Sequence, residues 1–71
     1  MQEIRNMKEL GGLVRSTRRS QKINQTLLAQ AANVGIRLVV DIEHGKPTVQ
    51  IDKLLSVLNR LGIALYAEMP K

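Results

Sequence analysis

The sequence predicts a mainly α, compact single domain of four to five short helices that ends in a short strand. Apolar residues recur at three- and four-residue spacing in several separate stretches, bounded by residues that start or stop helices. With 71 residues the chain is long enough for one domain and one small core. After Gly62 the pattern switches to a period of two, the spacing of a strand.

Met7, Leu10, Leu13 and Val14 place one apolar stripe on a helix over residues 7–20, with Arg15, Arg18, Arg19 and Lys22 outside the stripe. Asn24 is a good N-cap for a second helix over 25–32, in which Leu28 and Ala32 face inward. Ala29 and Ala31 carry little bulk and let another helix approach closely. Asn33 suits the left-handed conformation that ends a helix, and Gly35 can cap the next. The run G-I-R-L-V-V-D-I-E predicts a third helix over 35–43, with Val39 and Ile42 toward the core and Ile36, Arg37, Val40 and Asp41 on the other face. Gly45 and Pro47 stop it. Ile51, Leu54, Leu55, Leu58 and Leu61 give the strongest helical periodicity in the chain, read here as plain core, and Gly62 ends that fourth helix.

Beyond it, Ile63, Leu65, Ala67 and Met69 alternate with Ala64, Tyr66 and Glu68, which predicts a strand over about 63–69. No second strand is legible, and buried backbone N–H and C=O groups need partners. The expected partner is the same strand of a second copy across a two-fold axis, so Ile63, Leu65, Tyr66, Ala67 and Met69 are candidate dimerisation residues. A small chain without disulfides also gains stability from the surface a homodimer buries. Helical continuation past Gly62 is the competing local reading.

Eleven Lys and Arg against six Asp and Glu give a formal net charge of +5, most of it within the first 24 residues. Such asymmetry points to a localised anionic partner, with a solvated helix face as the bland alternative. Without cysteine there is no disulfide or thiolate zinc site, and the lone His44 in the turn H-G-K-P reads as a solvated or phosphate-near loop residue. With one histidine and no Gly-rich phosphate loop, the chain is not expected to be an enzyme or to hold a metal or cofactor. The longest nearly uncharged apolar stretch, 61–67, has seven residues, whereas a bilayer span needs roughly 20. The first ten residues lack the apolar region of a secretory signal, so a cytoplasmic protein is expected.

Two short helices joined by a tight turn make a helix-turn-helix over about residues 24–43. The run I-N-Q-x-x-L-A-Q-x-A-N-V-G from Ile23, followed by V-x-x-I-E-x-G-K from Val39, resembles the helix-turn-helix of phage repressors and their Xre-type bacterial relatives. Asn33 stands where that family usually has a turn glycine. The segment from Glu43 to Leu65, with its G-K-P-T turn, leucine-rich helix and terminal L-G, is similar to HipB-like antitoxins. The resemblance implies a phage-repressor-like domain whose strand pairs across a homodimer. It also implies a repressor that autoregulates its operon from palindromic double-stranded operator DNA, and that binds a HipA-like serine/threonine kinase toxin on the bacterial nucleoid. A stand-alone repressor and a protein-binding adaptor stay open as alternatives.

Carried onto this sequence, the resemblance assigns base readout to Gly35, Ile36, Arg37, Val40 and Asp41, with Arg37 best suited to guanine. It assigns backbone contacts to Arg15, Arg18, Arg19, Asn24, Gln25 and Lys46, and a structural ion pair to Arg18 and Glu43. The apolar character of Ile36, Leu38 and Val40 leaves room for indirect readout or for a protein surface.

Overall fold

A computed structural model describes residues 2–70. Among the described residues there are four helices: α1 (Met7–Ser20), α2 (Gln25–Ala32), α3 (Ile36–Glu43) and α4 (Ile51–Leu61). Each begins or ends where local chemistry dictates. The Asn6 side chain accepts from the Glu9 N–H at 2.9 Å, satisfying a donor that α1 leaves free, and the Glu9 carboxylate accepts from the N–H of Arg5, just before the cap, at 2.7 Å. Asn24 caps α2 in the same way, accepting from the Leu27 N–H at 2.7 Å. Asn33 ends α2 at φ 58°, ψ 45°, and Gly45 and Gly62 take φ 77° and 81° after α3 and α4. In all three terminators the next residue folds its N–H back to a carbonyl of the last turn: Val34 to Ala29, Lys46 to Asp41 and Ile63 to Leu58.

Lys22, between α1 and α2, adopts φ 60°. A left-handed conformation costs an L-residue with a Cβ roughly 1–2 kcal/mol. Glycine there is strain-free but more flexible when unfolded, so Lys22→Gly is expected to stabilise by roughly 0.5–1 kcal/mol in thermal unfolding.

α3 packs against α1 and α2, and α4 closes the other side, mainly against α2. The core comprises Leu10 and Val14 of α1, Leu28 and Ala29 of α2, Val39 and Ile42 of α3, and Leu54, Val57, Leu58 and Leu61 of α4. The close approach of α1 to α3 depends on Gly11, where a Cβ would fall on the Ile42 carbonyl oxygen and lie 3.1 Å from that of Glu43.

Three expectations are corrected. Ile51 and Leu55 are 61% and 38% exposed, and Val57 takes the core place given to them. At 100° per residue, Leu55 lies roughly 110° from the centre of the arc formed by Leu54, Val57, Leu58 and Leu61, beyond a typical buried stripe. Ala31 faces solvent, so of the two alanines Ala29 is the one at the packed face of α2. Finally, the described residues contain no strand: 63–70 is irregular after Ile63. A strand is a hydrogen-bonded ladder, and the single chain supplies no partner for one. Only Ile63 of this segment packs on the core, while Leu65, Tyr66 and Met69 are 51%, 78% and 84% exposed.

Candidate nucleic-acid interface

Three helix ends converge on one face: the last turns of α1, the first turn of α2 and the end of α3. At the centre lies a buried ion pair. Arg18 Nε and Nη2 donate to the two carboxylate oxygens of Glu43 at 2.7 and 3.0 Å, and Arg18 Nη1 donates to the Ile23 carbonyl at 2.9 Å. Gln25 Nε2 adds a third donor to Glu43 at 3.1 Å. The two charged side chains are only 10% and 2% exposed, so this two-pronged pair locks α1, the α1–α2 turn and α2 to the end of α3.

Burial alone would raise the Glu43 carboxyl. The hydrogen bonds from Arg18 and Gln25, with the charges of Arg18 and Arg15, outweigh it and hold the group below its ordinary value. The hydrogen bond to Glu43, opposed by burial and helped by its charge, keeps Arg18 firmly protonated.

This pair floors a shallow cavity of about 260 Å³ lined by Arg15, Arg18, Arg19, Gln25, Glu43 and His44. Arg15 and Arg19 stand exposed at its wall. His44, which the sequence marks as a solvated or phosphate-near loop residue, lines the same cavity. Of the cations assigned to the DNA backbone, Arg15 and Arg19 present free charge here, whereas the Arg18 guanidinium is buried and committed to Glu43 and Ile23. Gln25 is half-buried, with its amide on Glu43, and the Asn24 side chain is occupied as a cap.

The candidate reading face is the outer side of α3. Gly35 and Ile36 are exposed, and the Arg37 side chain is 82% exposed. Val40 is half-buried. The Asp41 carboxylate, only 14% exposed, forms ion pairs with Arg37, its Nε 3.1 Å away, and with Lys46, its Nζ 3.6 Å away. Asp41 therefore gathers two cations at the edge of α3 rather than presenting an open acceptor. Among the described residues no helix is long and apolar enough to cross a membrane.

No family model matches the chain. It is 47% identical over 62 residues to the Uncharacterized HTH-type transcriptional regulator y4mF of Sinorhizobium fredii (strain NBRC 101917 / NGR234), a match covering 87% of this chain and 82% of the relative. Its fold superposes on solved structures at low identity. These include a HipB-O4 20mer complex (TM-score 0.87, 15% identity, full coverage of both chains) and a HipA-HipB-O2-O3 complex (TM-score 0.88, 15% identity, full coverage of both). By its close relative and its HipB-like fold, the chain belongs to the HTH-type transcriptional regulators, a family of regulators rather than enzymes.

Proposed function

We propose that the chain is a sequence-specific DNA-binding repressor that works as a homodimer. In this reading it reads palindromic operator DNA in the cytoplasm and serves as the antitoxin of a HipBA-type module, autoregulating its operon and binding a HipA-like kinase toxin. The observation that carries the DNA reading is the exposed Arg37 at the start of α3, one helix away from the Arg15 and Arg19 cations around the buried pair. In a dimer the two α3 helices would sit about 34 Å apart, one turn of B-DNA. Arg15, Arg19, Lys46 and His44 supply phosphate attraction, Arg18 and Gln25 hold the frame, and Ile36, Arg37 and Val40 meet base edges. Fold likeness to structures whose descriptions pair HipB with HipA supports the toxin partner.

Arg37→Ala is expected to weaken operator binding about 5- to 150-fold, the worth of one guanine contact, and to relax one base position. Equal loss on operator and random DNA rejects Arg37 as a base reader. A protein-binding role for the same region is favoured by Leu27 and Ile36, which are 51% and 47% exposed. Salt titration separates the two, because a repressor releases several counterions on binding DNA.

A further inference from the structure

Away from the helix ends, the two terminal segments border one cavity of about 920 Å³, lined by Gln2, Glu3 and Ile4 on one side and Tyr66, Ala67 and Glu68 on the other. Among the described residues no backbone hydrogen bond ties down 2–4 or 64–70. Both walls therefore present free peptide donors and acceptors. An extended chain in a sheet fills roughly 4.8 by 10 by 3.3 Å per residue, so this cavity holds roughly six residues of strand. The period-two segment over 63–69 has that length, and its Leu65, Tyr66 and Met69 stand half or more exposed, with no other cover in the chain.

We infer that the cavity receives the C-terminal segment of a second copy, so that the N-terminal segment is the outer strand of an intersubunit sheet. The inference rests on the homodimer proposed above and adds a partner strand to it. Insertion is reciprocal. The order becomes N-terminal segment, second copy's C-terminal segment, C-terminal segment, second copy's N-terminal segment, with the two-fold axis between the central pair. Each C-terminal strand then pairs on both edges, which a simple two-strand contact leaves half undone, and two-stranded ribbons are marginal in water. The apolar period-two face is thereby buried between the subunits. Of the two carboxylates that line the cavity, Glu3 is paired with Arg5 at 2.9 Å, and Glu68 is exposed to solvent.

The full chain is taken through sedimentation equilibrium together with amide hydrogen exchange at high and low concentration. A variant lacking Gln2 and Glu3, but keeping the core-packed Ile4 and the Asn6 cap, is measured alongside. Protection is expected to rise with dimer in both 2–4 and 65–69, and the deletion to weaken dimerisation by about tenfold or more, through lost ladder hydrogen bonds. A dimer whose protection is confined to 65–69, or that ignores the deletion, overturns the insertion and leaves the homodimer standing. A chain that stays monomeric up to about 0.5 mM overturns the homodimer itself.

Discussion

Gly11→Ala is expected to destabilise the domain by about 3 kcal/mol or more, while the same change at the adjacent Gly12 stabilises it by roughly 0.5–1 kcal/mol. Both glycines lie inside α1, where alanine is the better helix former. At Gly12 nothing stands within 4 Å of the new methyl, so only propensity acts. At Gly11 the methyl meets the backbone carbonyls of Ile42 and Glu43, which cannot rotate away as a side chain would. α1 must instead shift off the end of α3, loosening Val14 and Ile42 in the core and lengthening the Arg18–Glu43 contact. Paired thermal melts check this: a drop for Gly11→Ala of about 15 °C, against a small rise for Gly12→Ala, is the expected pattern. Two changes of like sign reject the crossing as the cause.

Glu43→Ala is expected to cost about 3 kcal/mol, because it strands the Arg18 guanidinium in a site where it is 10% exposed. The double change Arg18→Met with Glu43→Leu should recover most of that loss, since no charge is then left buried. Acid titration gives an independent reading. The folded Glu43 carboxyl lies below its ordinary value of 4.5. Its contribution is therefore complete above that value and fades as pH falls through the lower folded value. The stability gap between wild type and Glu43→Ala is expected to stay constant from neutral pH down to about pH 5 and to narrow below pH 4. A gap that persists unchanged at the lowest pH reached would show that the carboxylate's charge is not what the pair contributes.

The helices were legible because their information is local. Asn24, Asn33, Gly45 and Gly62 mark boundaries by side-chain caps and left-handed turns, and the α1 to α3 stripes place Leu10, Val14, Leu28, Val39 and Ile42 inward from spacing alone. The α4 stripe was misread at its edges. Six apolar residues on eleven span more of the helix surface than its neighbours cover, and which edge stays wet is set by where α2 sits. Gly11 gave no signal, because a glycine required by a helix crossing looks like any other in a sequence. Spacing and charge alone put Arg15, Arg18 and Arg19 in one basic group; it was the family resemblance that paired Arg18 with Glu43, and the structure shows that pair buried.

Spacing, caps and charge were enough to define four helices, their ends, a basic first third and a period-two tail. The Asp41 contacts with Arg37 and Lys46 are local, within five residues. Helix packing set how deeply Arg18 is buried against Glu43, leaving Arg15 and Arg19 exposed, and brought His44 to the cavity they line. These depend on residues distant in the chain meeting across helix crossings, and no local pattern encodes the angle at which two helices cross.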